Sequence, residues 1–196
     1  MRAHRGDNVP APHRQPAMSA HTFRLATTAD VPALVALVTS AYRGESSRSG
    51  WTTEADLLDG ARIDPALLAQ DITRADSRVA LIDGDDGRPL ACAHVAIEDG
   101  VGYFGMFAVD PTRQGRGTGD ALLRECERIA RDDWRLPAMR MTVIDVREAL
   151  IAYYVRRGYR RTGICKPFPY GDTRFGIPRR DDLRFEVLEK TFGAAA

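Results

Sequence analysis

A glycine-rich loop carries the clearest chemistry in the sequence. It reads Gln114-Gly-Arg-Gly-Thr-Gly119 and joins a predicted strand, which ends at Val109, to a predicted amphipathic helix. Glycines allow several backbone N–H groups to turn toward one point, and the N-terminus of the helix adds a partial positive charge. We therefore expect the loop to bind a phosphate or pyrophosphate group rather than to form only a flexible turn.

The spacing of these glycines excludes two common nucleotide-binding motifs. A P-loop requires Gly-x4-Gly followed by Lys and then Ser or Thr, and no Lys follows the glycines here. The dinucleotide motif requires Gly-x-Gly-x-x-Gly, which Gly115 and Gly117 begin but Asp120 interrupts. The expected ligand must therefore belong to another class of phosphate-bearing cofactor.

The loop and a second element together resemble the GCN5-related N-acetyltransferase (GNAT) family. The family's pattern Gln/Arg-x-x-Gly-x-Gly/Ala appears as Gln114-x-x-Gly117-x-Gly119, after the typical strand end Phe107-Ala-Val-Asp-Pro111. A second family pattern, Ala-x-x-Tyr-x-x-x-Gly-Phe, is similar to Leu150-Ile-Ala-Tyr-Tyr-Val-Arg-Arg-Gly-Tyr159. The predicted elements from residue 22 to residue 190 also follow the family's order, so the resemblance covers nearly all of the patterned chain.

This resemblance implies an acyl-CoA-dependent N-acetyltransferase that needs no metal. Acetyl-CoA would be the co-substrate, and the acceptor would be a primary amine of a small molecule or peptide. Because both substrates are held in one ternary complex, the amine would attack directly and proximity would supply much of the rate. Two alternatives stay open: a non-catalytic CoA-binding sensor or interaction module on the same fold, and a transferase for longer acyl-CoAs.

The resemblance also implies the residues that contact acetyl-CoA. These are Phe107, Ala108, Val109, Gln114, Gly115, Arg116, Gly117, Thr118, Gly119 and Asp120. The pantetheine arm would insert between two splayed parallel strands, here residues 101–109 and 139–144, and pair with the backbone of the first three contacts. One of their N–H groups would then polarise the thioester carbonyl.

Tyr154 stands at the position of the family's general acid, which gives a proton to the leaving thiolate. A second core aromatic is the alternative role for this side chain, and its neighbour Tyr153 is expected to pack into the core. Two positions depart from the family's pattern: Arg147 replaces a frequent Asn, and Thr142 replaces the Glu of some relatives. No general base is evident, so the amine proton passes either to water or to a substitute, for which the candidates are Glu54, Glu98 and Asp145.

The acceptor amine is expected to meet two segments that select substrates in the family, residues 50–55 and 168–178. Within the first, Trp51 would supply an apolar wall and Glu54 a carboxylate for a cationic amine. The alternative is structural, with a buried Trp that anchors a loop and a Glu in the first turn of a helix. His94 lies in an alternating strand and is expected to be a satisfied, half-buried side chain rather than a base.

The elements that position these residues predict an α+β sandwich around a mixed sheet, in the order β-α-α-α-β-β-β-α-β-α-β-β. Capping patterns place helix starts at Thr27, at Thr53 with Asp56, and at Asp64-Pro65. The predicted strands are residues 22–26, 77–82, 89–97, 101–109, 139–144, 159–162 and 183–188. We expect residues 21–196 to form one domain and residues 1–20 to be a disordered tail.

Composition limits the partners and the location of the protein. The 28 Lys and Arg and the 27 Asp and Glu give a net charge of +1, which argues against nucleic acid or an anionic membrane as the main partner. The three cysteines have no paired spacing, which predicts free thiols, with Cys92 and Cys126 buried, in a reducing cytoplasm. We expect a monomer or a homodimer.

Overall fold

The computed structural model describes residues 21–193, and the tail predicted for residues 1–20 lies outside this range. The described chain has the expected α+β architecture, with helices on both faces of a seven-stranded mixed sheet. The strands are β1 (Phe23–Leu25), β2 (Leu58–Asp59), β3 (Ser77–Asp83), β4 (Pro89–Glu98), β5 (Val101–Val109), β6 (Ala138–Ile144), β7 (Arg160–Pro167), β8 (Ile177–Pro178) and β9 (Arg184–Thr191). The helices are α1 (Val31–Tyr42), α2 (Gly44–Ser47), α3 (Pro65–Thr73), α4 (Thr118–Arg128) and α5 (Glu148–Val155).

The large sheet has the strand order β1-β3-β4-β5-β6-β9-β7, and β2 pairs with β8 in a small second sheet. All neighbouring strands of the large sheet are antiparallel except β5 and β6, which run parallel. This parallel pair is registered at only two positions, Gly102 with Met139 and Tyr103 with Arg140. Beyond them the two strands separate, and this separation positions the candidate site.

The two faces of the sheet bury separate hydrophobic clusters. Successive residues of a strand point to opposite faces. Cys92 of β4 accordingly packs on the side of α1 and α3, among residues that include Leu34 and Leu68. Its neighbour Ala93 packs on the other side, among residues that include Leu122 of α4 and Ile151 of α5. Cys92 and Cys126 are free and buried, as predicted, whereas Cys165 is exposed.

The prediction of a helix that begins at Thr53 is wrong. Residues 51–57 form turns, and Leu58–Asp59 then pairs with Ile177–Pro178. Leu58 is buried in a small cluster with Ile144, Phe168 and Leu183. The segment therefore buries its apolar side chain by pairing with a strand that is distant in the sequence, and not by forming a helix. The helix start at Asp64 is confirmed, because its carboxylate accepts the N–H groups of Ala66 and Leu67 at 2.8 and 3.0 Å.

Two short elements lie outside the helices and strands predicted from the sequence. The helix α2 lies within residues 44–50, and β8 lies within residues 166–180. None of the helices described for residues 21–193 is long and apolar enough to cross a membrane.

Candidate active site

A cavity of about 280 Å³ lies where β5 and β6 separate. Residues 104–107 of β5 form one wall, and residues 141–144 of β6 form the opposite wall. The backbone of β5 bends at this point: the register with β4 shifts, and Met106 adopts a left-handed conformation with φ of 44°. The cavity therefore exposes a stretch of strand backbone that the sheet itself does not pair.

The backbone groups of Phe107 and Val109 face this gap. Asp110 donates its N–H to Leu90 of β4 at 2.9 Å, and alternate residues of a strand turn their N–H and C=O groups to the same side. Ala108 therefore turns its backbone groups to β4 as well. Of the three residues predicted to pair with an extended ligand, only Phe107 and Val109 present theirs to the gap.

Two side chains hold the carbonyl groups that point into the gap. The hydroxyl of Tyr42 donates to the carbonyl oxygen of Phe107. The amide of Gln114 donates to the carbonyl oxygen of Val109 at 3.3 Å, and it also donates to Thr52 Oγ1 at 3.1 Å. The side chain of Gln114, predicted as a cofactor contact, thus joins β5 to the segment that follows α2.

The glycine-rich loop lies at the end of β5 and leads directly into α4. Gly115 and Gly117 have φ angles of 81° and 82°, which favour glycine, and the space beside both is open for at least 4 Å. The first helical hydrogen bond of α4 runs from the Ala121 N–H to the Gly117 carbonyl at 2.9 Å. The N–H groups of residues 118–120 lie before it and have no partner within the helix. A cluster of backbone donors without helical partners results, with the exposed Arg116 side chain in the same loop.

Packing and ion pairs fix the base of this loop. A Cβ added at Gly119 would lie 3.0 Å from Phe107 Cζ, so a glycine lets α4 approach β5 closely. Asp120 pairs with Arg124 at 2.7 Å and with Arg157 of the α5 end. Asp120 was also predicted as a cofactor contact. Its side chain is paired with arginines, so only its backbone N–H is presented at the N-terminus of the helix.

Tyr154 of α5 is buried and lines the cavity. Its ring centroid lies 5.2 Å from that of Tyr153 and 6.4 Å from that of Phe104, so it also belongs to an aromatic cluster. Burial raises the pKa of Tyr154 well above the ordinary value of 10, which keeps its phenol protonated at neutral pH. Both roles weighed for it from the sequence, acid and core aromatic, fit this position.

Trp51 and Glu54 occupy different parts of the site. Trp51 is 49% exposed, and its ring lies 5.3 Å from that of Tyr153, beside the glycine-rich loop rather than along the cavity. The indole is therefore not the buried anchor of the structural alternative. Tyr153 packs at the edge of the core, where Arg157 also covers its ring at 3.5 Å.

Glu54 lines the cavity but is surrounded by arginines. Its carboxylate oxygens lie 2.7 Å from Arg43 Nη1, 2.8 Å from Arg147 Nη1 and 3.5 Å from Arg62 Nε. Burial is the largest single influence and raises the pKa of Glu54, but the combined attraction of Arg62, Arg147 and Arg43 outweighs it, and the pKa is lowered overall. A carboxylate held in this way is poorly suited to the predicted roles of a base or a binder of a cationic amine.

His94 lines the same cavity from β4. Its Nε2 lies 2.8 Å from Ser77 Oγ, and that hydroxyl donates its hydrogen to the Asp71 carbonyl at 2.6 Å. Nε2 must therefore carry the proton of the neutral ring, which leaves the lone pair on Nδ1. Burial lowers the pKa of His94 below 6.5, against a smaller opposing effect of Asp71, so the ring is neutral at pH 7.

The other two bases considered from the sequence, Glu98 and Asp145, are not among the described residues that line the cavity. The sequence also missed Tyr42 and Arg62, which do line it. Tyr42 lies on the apolar face of α1 and reveals no second role by its spacing, and no motif surrounds Arg62. Within residues 21–193, no group of three or more His, Cys, Asp or Glu residues is placed to hold a metal ion.

Both the sequence and the fold resemble those of known proteins. Residues 38–159, more than half of the chain, match the model of the acetyltransferase (GNAT) family. No curated protein sequence matches the chain.

Several solved structures share the fold at low sequence identity. The ribosomal-protein-S18-alanine N-acetyltransferase from Escherichia coli is similar with a TM-score of 0.63 and 17% identity, over 90% of this chain and 96% of that one. PaiA N-acetyltransferase from Thermoplasma acidophilum, solved in complex with coenzyme A, gives a TM-score of 0.61 and 15% identity, over 88% and 99% of the two chains. Nourseothricin acetyltransferase gives a TM-score of 0.63 and 18% identity, over 88% of this chain and 99% of that one.

Replacing the buried carboxylate should destabilise the protein in a pH-dependent way. Glu54→Gln is expected to lower the free energy of unfolding at pH 7 by about 3–5 kcal/mol, because it leaves buried guanidinium groups without their counter-charge. Since the pKa of Glu54 is lowered by folding, the stabilisation is complete above the unfolded-state pKa of about 4.3 and is lost as pH falls through the lower folded pKa. Urea unfolding at several pH values measures both effects.

Glu45→Gln is the matched control for this experiment, because the side chain of Glu45 is exposed and should contribute little. The difference in the free energy of unfolding between wild type and Glu54→Gln should decrease between pH 7 and pH 3. A similar loss of stability in both variants, or a difference in stability that does not change with pH, would contradict the proposed role of the Glu54 charge cluster.

Proposed function

The chain belongs to the GNAT family of acetyltransferases, and on that basis we propose that it moves an acetyl group from acetyl-CoA to a primary amine. The observation that carries this proposal is the cavity between the separated strands β5 and β6, with a glycine-rich loop at the end of β5 that leads to N–H groups without helical partners at the start of α4. An extended thioester arm needs a slot between strands, and a diphosphate needs a loop of N–H donors. A ligand that carries both groups, as acetyl-CoA does, needs the slot and the loop side by side. The free thiols of the three cysteines fit the reducing cytoplasm that we propose as its location.

The residues described above fit acetyl-CoA at both of its ends. The N–H groups of residues 115–120 and the positive end of α4 would hold the diphosphate, and Arg116 would add a charge. The gap-facing N–H groups of Phe107 and Val109 would hold the extended arm as a neighbouring strand does. Acetyl-CoA supplies the acetyl group and a thiolate leaving group. One of the two N–H groups, fixed and aimed at the thioester carbonyl oxygen, would be worth about 10²–10³ in rate.

Two side chains would move the protons. Tyr154 is protonated and lines the cavity, so its hydroxyl would give a proton to the departing thiolate. His94 is neutral and carries a lone pair on Nδ1, so it would accept the proton that the amine loses. The choice of His94 departs from the sequence-based expectation of a satisfied side chain, because only its Nε2 is occupied by Ser77.

Gly117→Val should weaken the binding of acetyl-CoA by about tenfold or more. A β-branched residue is strained at φ of 82°, and relief of the strain turns the N–H groups of the loop away from their common point. Gly87→Val is the matched control, since Gly87 has φ of 74° in an equally open turn away from the loop. Titration calorimetry with acetyl-CoA measures the effect. Equal affinity in both variants would remove the loop from the binding site.

Tyr154→Phe should lower kcat by about 10²-fold or more while leaving the dissociation constant of acetyl-CoA nearly unchanged, because it removes only the proton donor. Tyr153→Phe, which alters the neighbouring phenol, should keep turnover near that of wild type. Thiol release with a panel of amines measures both. Full turnover in Tyr154→Phe would exclude the acid role, and a wild-type protein that binds acetyl-CoA but acetylates no amine would favour the sensor.

His94→Gln should lower kcat by about 10²-fold and remove the acid limb of the pH profile. In the wild type, activity requires the neutral ring, and the pKa of His94 is lowered, so kcat should fall only as pH drops below 6.5. His21→Gln, at a histidine outside the cavity, is the control. An unchanged acid limb in His94→Gln would assign that ionisation to another group.

A further inference from the structure

The cluster of charged side chains around Glu54 contains more positive than negative charge. Arg43, Arg62 and Arg147 surround the single carboxylate of Glu54. Arg62 and Arg147 line the cavity together with Glu54, whereas Arg43 lies behind them and is only 6% exposed. Three guanidinium groups and one carboxylate leave a formal excess of two positive charges in a largely buried cluster.

The other carboxylates that line the cavity are already engaged. Asp64 caps α3 and accepts two backbone N–H groups. Asp71 lies 3.7 Å from Arg74 and 3.8 Å from His94. The remaining arginine of the lining, Arg174, is paired with Asp172 at 2.6 Å. Asp64 and Asp71 keep their negative charges, but among the described residues that line the cavity only Glu54 forms an ion pair with Arg43, Arg62 or Arg147.

Of the two arginines that line the cavity, Arg62 is the less engaged, because Arg147 already donates from Nη1 to Glu54 and from Nη2 to the Thr52 carbonyl. Arg62 reaches Glu54 only through Nε at 3.5 Å, a long contact for a charged pair. Arg43 Nε and Nη2 are buried without a hydrogen-bond partner, but Arg43 is not among the residues that line the cavity, so these atoms add to the unbalanced charge and not to the donors that an anion can reach. Burying an excess of unpaired charge is costly, and a buried guanidinium is stabilised when an anion accepts from its free nitrogens. The cavity is the side from which such an anion can approach Arg62 and Arg147.

The position of the arginines relates this anion to the reaction. The guanidinium carbons of Arg62 and Arg147 lie 4.8 and 5.8 Å from the centre of the Tyr42 ring. The hydroxyl of the same ring donates to Phe107 on β5, where the thioester is proposed to lie. An anion beside these guanidinium groups is therefore separated from the gap in β5 by the length of one aromatic side chain.

We propose that the acceptor is a small amine that carries a carboxylate next to its amino group, as an amino acid does, and that Arg62 and Arg147 bind this carboxylate. Glu54 then positions the two arginines, and it does not contact the amine. The inference rests on the proposed acetyl transfer, because it identifies the class of the acceptor at the same site. The sequence suggested that a carboxylate of the protein, Glu54, binds a cationic amine. The proposal is the reverse: cationic side chains of the protein bind a carboxylate of the substrate.

The test compares each of the common amino acids with its carboxamide, which keeps the amino group and side chain but has no negative charge. Thiol release from acetyl-CoA measures kcat/KM for both members of each pair. We expect at least one amino acid to be acetylated, with kcat/KM about 10- to 100-fold higher than for its amide, as for the loss of a charged hydrogen-bonded partner.

Arg62→Gln should abolish most of this preference by raising KM for the amino acid while the KM for acetyl-CoA stays the same. Arg62→Lys, which keeps the charge but loses the planar pair of donors, should restore part of it. Arg78→Gln is the matched control, since Arg78 is paired with Asp133 at 2.6 Å and is not among the described residues that line the cavity, and it should keep the full preference. Thermal unfolding of each variant confirms that it is folded before its rates are compared.

The outcomes separate this inference from the proposed function. Equal rates with amino acids and their amides in the wild type, or acetylation of only carboxylate-free amines, would overturn the carboxylate site and leave acetyl transfer standing. Failure of every amine of either kind, with acetyl-CoA bound, would overturn both. A preference that survives in Arg62→Gln would place the carboxylate elsewhere and overturn the assignment of Arg62.

Discussion

The separation of two parallel strands in the middle of the sheet determines the rest of the site. A sheet normally pairs every backbone group of an inner strand, and unpaired buried groups are costly. Here β5 and β6 are registered at two positions only, so the remaining groups of β5 need other partners. Tyr42 and Gln114 satisfy the two carbonyl groups that face the gap, and both come from outside the sheet. The N–H groups of the same residues are left for a ligand. The missing pairing between β5 and β6 therefore creates a slot that an extended ligand can occupy as a strand would.

A second constraint is the buried carboxylate of Glu54, which draws together segments that are distant in the chain. Arg43 follows α1, Arg62 precedes α3, and Arg147 is the residue before α5. Because all three converge on one side chain, the ends of three helices are fixed around the cavity. Buried ion clusters of this kind contribute less to net stability than their distances suggest, since desolvation opposes the attraction. Their effect here is positional, and it holds the guanidinium groups of Arg62 and Arg147 at the wall of the cavity.

Local signals in the sequence were sufficient for the parts of the fold that depend on local physics. The turn that needs left-handed glycines at 115 and 117 and the cap at Asp64 were both recognised from neighbouring residues alone. The segment after Thr53 was not, because a helix-capping pattern was overridden by the pairing of Leu58 with Pro178 across the chain. The surroundings of Glu54 were also beyond local reach: two of its arginines lie 11 and 93 residues away, and no spacing rule relates them.

Tyr42 shows why the acceptor side in particular was hidden in the sequence. Its ring packs in the core beside α3, as the apolar face of α1 requires, and helical spacing accounts for it completely. Its hydroxyl nevertheless reaches β5, and its ring lies beside the guanidinium groups of Arg62 and Arg147. One side chain thus contacts the proposed thioester site with its polar end and the charged wall with its aromatic face. A substrate bound against that wall is held at a fixed distance from β5, so the recognition of an anion and the orientation of an amine depend on the same residue.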